Sequence, residues 1–537
     1  MMLKNFENNT IGQATVIIAV FSLLAKILGL VRDAVFSHQF GAGMVIDAYY
    51  AAFRIPDFIY NLLMFGTFSV AFIPVFSEYL VKDKKEADKL ASGILNMTFL
   101  IVLGATLLAY IFINPLVAAI APGFDSETFN LTKTFTKIFL LSPIFLTLSS
   151  IFSSMLNTYK RFTWASIAPV VYNLSIIAGA LLLYPEFGPI GVAVGVAVGA
   201  FLHFAVQIPQ IIQVGFNYSL AMDYKEPGFI KFWKLYWPRI FSMGTEHVSA
   251  LIITIFGSFL GTGALAGFYY ANNLQSVFLG IFAVSFAISV FPILSDLHNQ
   301  NDRQGFKDLL AKTTVQILFF IIPLSILLLV LRAQVVRLVL GIGESTNFSF
   351  TDTRIVAESL GLFSISLFAQ SLIPLFSRAF YAMRNTVTPV LIGFVVISAN
   401  IFITYYFVGR LGIAGMALSF SITSILYLVL LVMELHRRIG HIHDEYVIIT
   451  SLKIIIASLF GGTAAYVSLH VLAPIFGTDT YGGILIQGSV SGMVGVGVYL
   501  LAGLIVGLHE TRNLVNLLRS VGAKIGRPIN TIWEKFT

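Results

Sequence analysis

The stretch "AKILGLVRDAVF", residues 25–36, puts Lys26, Arg32 and Asp33 into what otherwise reads as a membrane-spanning helix. A charge at the centre of a bilayer costs roughly 2.5–3.5 kcal/mol on insertion scales, so such residues persist where they face protein or water. The rest of the chain has the same character. Of 537 residues, 57% are hydrophobic and 11% charged, and the mean hydropathy is +0.87. Apolar runs of about 20 residues, enough to cross the hydrocarbon core, recur as far as residue 507. A soluble protein is excluded. With no cysteine, so are disulfides, thiol catalysis and thiolate metal sites.

Lys26 and Arg32 stand where a small-residue cleavage site would follow a signal peptide, so the first segment reads as a retained span. Apolar runs and their breaks predict fourteen spans, at 14–37, 47–77, 94–120, 135–157, 163–183, 189–212, 239–260, 264–295, 313–331, 357–380, 388–408, 412–433, 450–473 and 482–507. An even number puts both termini on one side. The loops on that side carry 24 Lys and Arg residues, Lys85 and Lys231 among them, against 6 on the other. The positive-inside rule then predicts a multi-pass protein of the cytoplasmic membrane with both termini cytoplasmic. The net charge of +7 is met by anionic lipid and needs no nucleic-acid partner.

The chain echoes itself at an offset near 220. "AFIPVFSEYL" (71–80) resembles "SVFPILSDLH" (289–298), Pro169 matches Pro389, and "GPIG" (188–191) matches "GRLG" (409–412). An offset of about 219 also sets Arg54 opposite Asn273. Six spans separate the copies, so they share an orientation. The expected fold is an all-α polytopic membrane protein with about 14 transmembrane helices. Two six-helix lobes are related by a pseudo-two-fold along the membrane normal, with two extra C-terminal helices. Parallel repeats of this kind mark alternating-access transporters. The expected domains are 1–215, 216–440, spans 13–14 over 441–510 and a basic tail over 511–537.

On the first helix Lys26 and Asp33 are seven residues apart and nearly eclipsed, whereas Arg32 points about 100° from Asp33. These charges read as interhelical ion pairs, as residues at the water interface or as the lining of a cavity, and the cavity is preferred. In "DAYYAAFRIPDF" (47–58), Asp47, Arg54 and Asp57 precede an apolar run, and Pro56 predicts a break or kink. An arginine beside a kink suits phosphate, because its planar fork makes charge-assisted bidentate bonds. Glu246 and His247 are candidates for a coupling ion, and Asn272 and Asn273 for substrate contact or helix packing. Gly191, Gly195 and Gly199 form a close-packing stripe. His436, His441 and His443 read as a solvated loop rather than a metal site. There is no Walker loop and no HExxH pair, so an ATP-driven pump is disfavoured.

The segments "AKILGLVRD", "GAGMVIDAYYAAFRIPDF", "GTFSVAFIPVFSEYL", "APGF" (121–124), "FYAMRNTVTPV" and "LGIAGMALS" resemble the MurJ (MviN) family of lipid II flippases, within the multidrug/oligosaccharidyl-lipid/polysaccharide exporter superfamily. The resemblance is densest over residues 14–80 and recurs to about 440. It implies a central cationic cavity and movement of the polyprenyl-diphosphate-linked peptidoglycan precursor to the outer leaflet. The family's important residues fall on Arg32, Asp33 and Asp47, and on Lys26, where an arginine is usual. The chain departs at Tyr60 and Asn61, where the family commonly has arginines, and at Asn272 and Asn273, where it has Asp-Arg. The family's sodium site, an Asn/Asp pair four residues apart on the eleventh helix, here meets Asn400 and Thr404.

The sequence therefore predicts a flippase, not an enzyme. Lys26, Arg32, Arg54, Asn272 and Asn273 bind substrate, and Asp33 and Asp47 serve gating or ion pairing. Glu246, His247, Asn400 and Thr404 are the candidates for a coupling ion. No cofactor is expected, and sodium, protons or the membrane potential supply the drive. The partners are lipid II or a related polyprenyl-diphosphate glycolipid, the membrane and the cell-wall synthesis machinery. The alternatives are a flippase for another such glycan, or a cation-coupled small-molecule exporter, which would want acidic rather than basic residues in its first span.

Overall fold

The computed structural model describes residues 11–63, 68–220, 222–240, 244–342, 346–478 and 480–516, the side chains of 11–15, 237–240 and 244–247 excepted. Among the described residues, twelve helices are long and apolar enough to cross a membrane. Two more, Ile11–Phe40 and Gly244–Ser258, stand where the sequence puts the first and seventh spans. Among the described residues, a helix thus occupies each of the fourteen positions. Several helices outrun their apolar windows: Lys84–Ile111 replaces an expected start at 94, and Arg303–Leu340 replaces 313–331. The added turns are polar and helical for local reasons. Asp83 caps the Lys85 N–H, and Lys84 pairs with Asp88 at 2.9 Å, as Lys89 does with Glu86 at 2.8 Å.

The chain folds as two compact units. The first comprises 1–277, 339–359 and 393–420; the second comprises 278–338, 360–392 and 421–537. In the first, Phe68, Phe72 and Phe76 stack in succession, 5.3 and 5.1 Å between rings. Helix Pro227–Ile240 lays Phe229, Phe232 and Tyr236 on that stack, and Lys231 reaches Glu78 at 2.6 Å. Its lysines read as loop, yet Phe229, Phe232, Trp233 and Tyr236 repeat at helical spacing. Gly195 meets Gly179 directly, and Gly199 meets the Tyr172 carbonyl. The predicted glycine stripe therefore packs, as small residues must where lipid supplies no hydrophobic drive between helices.

In the second unit, Leu294, Phe306, Leu310, Phe319, Phe376 and Leu431 belong to one core, and Tyr499 donates to the Phe319 carbonyl at 2.8 Å. Helices Asp444–Phe476 and Tyr481–Ile505 approach closely where Gly461 faces the Gly495 carbonyl.

The repeat is written in the backbone with a corrected register. Gly188 and Gly412 both have positive φ, 59° and 56°, and the N–H of the glycine three residues on returns to each carbonyl at 3.0 Å. A Cβ on Gly191 would strike Leu183, and one on Gly415 would strike Phe407. Gly188 therefore corresponds to Gly412, not Gly409, because the left-handed turn and not the lettering defines the position. Likewise helices begin at Met44 and Ala264, preceded by Gly41 and Gly261 with φ of 61° and 87°. This register sets Arg54 opposite Leu274, and Asn273 opposite Phe53.

Candidate functional site

The first helix stops at Gly41, whose N–H returns to the Ser37 carbonyl at 2.9 Å. A Cβ there would meet the Asn347 carbonyl oxygen, so only glycine closes the turn. The second span begins three residues later and is broken at Phe53, between Met44–Ala52 and Arg54–Leu63. Pro56 causes the break: it has no N–H to return to the Ala52 carbonyl, and it is tolerated in the first turn of the new helix. The expected kink thus lies three residues before the proline and makes Arg54 the first residue of a helix.

These elements meet the start of helix Ala264–Phe278 within the first unit. Arg32 does not point away from its neighbour. Its Nε and Nη2 donate to Asp33 Oδ1 at 3.1 and 2.8 Å, a long side chain offsetting the 100° between Cβ directions. Asp33 Oδ2 accepts from Asn273 Nδ2 at 2.8 Å, and the same amide reaches Tyr50 Oη at 3.2 Å. The Asp33 side chain is 2% exposed and that of Arg32 18%. Arg54 donates its Nε to the Tyr50 carbonyl at 3.0 Å. Its guanidinium lies 4.6 Å from the centre of the Tyr269 ring, which stacks on Tyr50. Among the described residues Arg54 enters no ion pair and its Nη groups make no hydrogen bond, which leaves both for an anion. Lys26 is exposed and has no ionic partner among the described residues.

Asp47 forms no ion pair among the described residues. It is 1% exposed and accepts from the N–H groups of Gly263 and Ala266, the latter at 2.8 Å. It therefore caps helix Ala264–Phe278 from another span, satisfying donors that the helix cannot bond itself. Asp47→Ala should lower stability by about 1–3 kcal/mol, the cost of buried donors left unmet, and Asp47→Asn by less because an acceptor remains. Thermal unfolding of the purified variants checks this, and equal losses would contradict the cap.

Asn272 accepts from Gln275 at 3.2 Å and is not joined to the Asp33 network. Asn400 and Thr404 are buried, 4% and 1% exposed, one turn apart on helix Val387–Leu411. The side chains of Glu246 and His247 lie outside the described residues. One polar cluster is absent from the sequence expectations. Ser149 Oγ lies 2.7 Å from His203 Nδ1, Gln207 Nε2 donates to Ser149 Oγ, and Ser153 donates to Gln207 at 3.0 Å. Its signal, "SSIFSS" (149–154) and a histidine inside apolar runs, is legible in the chain.

A many-spanned helical bundle with a buried charge pair, Arg32–Asp33, and an arginine at a helix break with both Nη groups unused has the character of a membrane transporter. The family described as Lipid II flippase MurJ matches residues 36–484, and the chain belongs to that family. The chain is 29% identical to the probable lipid II flippase MurJ of Vibrio cholerae serotype O1, over 79% of this chain and 82% of that one. It is 29% identical to the lipid II flippase MurJ of Burkholderia cenocepacia, over 79% and 84%. A solved lipid II flippase MurJ in an inward closed conformation superposes with a TM-score of 0.77 at 28% identity, covering 93% of this chain and all of that one. An inward-facing multidrug resistance MATE family transporter of the MOP superfamily superposes at 0.66 with 12% identity, over 78% and 96%, which speaks for the fold alone.

Proposed function

We propose that the chain is a flippase for lipid II, the polyprenyl-diphosphate-linked peptidoglycan precursor, carrying its head group across the cytoplasmic membrane while the lipid tail stays in the bilayer. The observation that carries this reading is the guanidinium of Arg54, held through Nε and ring stacking with both Nη groups unused. That arrangement is preorganised for a diphosphate, with Lys26 as a second cation that makes no ion pair among the described residues. Family membership supports the head group, and the neutral Asn272 and Asn273 favour a site weighted toward the first two spans. The lobes 1–215 and 216–440 alternate access, and sodium, protons or the membrane potential supply the drive, with Asn400 and Thr404 as the candidate ion position. Cell-wall synthesis enzymes are the natural consumers of the product. Rescue of a host depleted of its own lipid II flippase tests the reading, and failure of a well-expressed chain to rescue would overturn it.

In this reading both termini are cytoplasmic, supported by the basic excess of that set of loops. The chain has no cysteine, so a single Lys85→Cys reports against a silent background. It should resist a membrane-impermeant maleimide in intact cells and react after lysis. Labelling from outside would reverse the topology.

A further inference from the structure

We propose that His436, His441 and Asp444 form a binding site for a zinc-class divalent cation at the junction of helices Ile413–Ile439 and Asp444–Phe476. The donor atoms of the three side chains all lie within 4.8 Å of one another. Asp444 presents Oδ1 to His436 Nε2 at 3.2 Å and Oδ2 to His441 Nδ1 at 2.5 Å. The two imidazole rings are 5.3 Å apart. His436 Nε2 is buried and makes no hydrogen bond among the described residues. Its approach to Asp444 is close enough for a charge yet wrongly directed for a shared proton, and a cation between nitrogen and carboxylate resolves that conflict.

The backbone builds this convergence. Gly440 and His443 both adopt positive φ, 77° and 57°, so the linker doubles back and His441 faces the first residue of the next helix. The surrounding charges leave Asp444 available, although the Ile442 N–H donates to its Oδ1 at 3.3 Å. Arg438 and Arg437 are held by Glu434 at 2.9 and 3.7 Å. His443 turns the other way, to Asp308 at 2.6 Å and to Gln304, and is not part of the donor set.

Two imidazoles and a carboxylate suit zinc, whereas magnesium wants octahedral oxygen. Three protein donors leave a fourth position for water. Binding requires the 2.5 Å contact to relax to the spacing of about 3.3 Å between donors of a tetrahedral zinc. Because one ligand comes from each helix and one from the linker, the ion would fasten this junction.

The test uses the full chain in detergent, freed of any affinity-tag histidines, stripped by a chelator and titrated with zinc sulfate against a fluorescent zinc indicator. One zinc per chain is expected. The His441 side chain is 84% exposed, so His441→Ala leaves the fold intact, and it should weaken binding by about 100-fold or more, a primary ligand mattering at least as much as an outer one. Asp444→Asn should behave alike, and His443→Ala should bind as wild type. Zinc should also raise the melting midpoint of the wild type but not of His441→Ala. No stoichiometric uptake by the wild type, or undiminished binding by His441→Ala, overturns the site.

Discussion

Arg54→Ala binds a polyprenyl-diphosphate lipid about 10- to 100-fold more weakly than the wild type while accumulating and melting normally. The size follows from a hydrogen bond to a charged group, worth about 1.5–3 kcal/mol, and normal melting follows from geometry. Arg54 anchors to the protein through one backbone hydrogen bond and a ring face, and Asp57, which interacts with its charge, makes no direct ion pair with it. Arg54→Lys should recover part of the affinity, since charge survives and the fork does not. Asn273→Ala should do the reverse. It removes a donor from buried Asp33, so about 1–3 kcal/mol of stability is lost with little change in lipid affinity. Lipid binding to the purified variants, set beside thermal midpoints, separates the two. Equal affinity losses would remove Arg54 from the centre of the site.

Arg32→Ala should be less stable by about 2–3 kcal/mol and accumulate poorly. Removing one partner of a buried ion pair strands the other, at a cost of about 3–5 kcal/mol, and the 18% exposure of the Arg32 side chain puts this pair below that range. The double change Arg32→Met, Asp33→Asn should restore accumulation, because the stranded charge is gone. Transport by the restored double variant would assign the pair to packing. If Arg32→Ala instead melts like the wild type and only transport fails, Arg32 serves the ligand and the pair contributes nothing to stability.

The helices at the fourteen expected positions, twelve of them long and apolar enough to cross a membrane among the described residues, are legible because length and hydropathy are local properties, and the flippase family is legible in contiguous motifs. What the sequence hides is contact across long separations. That Asp47 caps a helix beginning at Ala264 depends on two spans meeting, and no periodicity announces it. Arg32 shows the complementary error. Helical angles describe where Cβ points, but a guanidinium on three methylenes can return to its neighbour. The break in the second span is visible as Pro56, yet its position at Phe53 follows from the missing amide rather than from the ring. Helix Pro227–Ile240 carries a full helical pattern of aromatics, masked by lysines that read as loop. The zinc-class cluster draws its donors from a helix end, a linker and the next helix, so only the two left-handed residues bring it together.

The cap on helix Ala264–Phe278 has a consequence for biogenesis. The acceptor and its first donor are 216 residues apart in the chain, and ribosomes extend a chain by about 5–20 residues per second, so Asp47 precedes Gly263 by roughly 10 to 40 s. Throughout that interval the nascent second span carries a carboxylate without its partners, and in hydrocarbon such a group is costly. The early spans must wait with that end at the water surface or shielded by the insertion machinery. Released chains truncated before residue 263 should therefore be degraded faster than those truncated beyond 280, in which the eighth span supplies the missing donors.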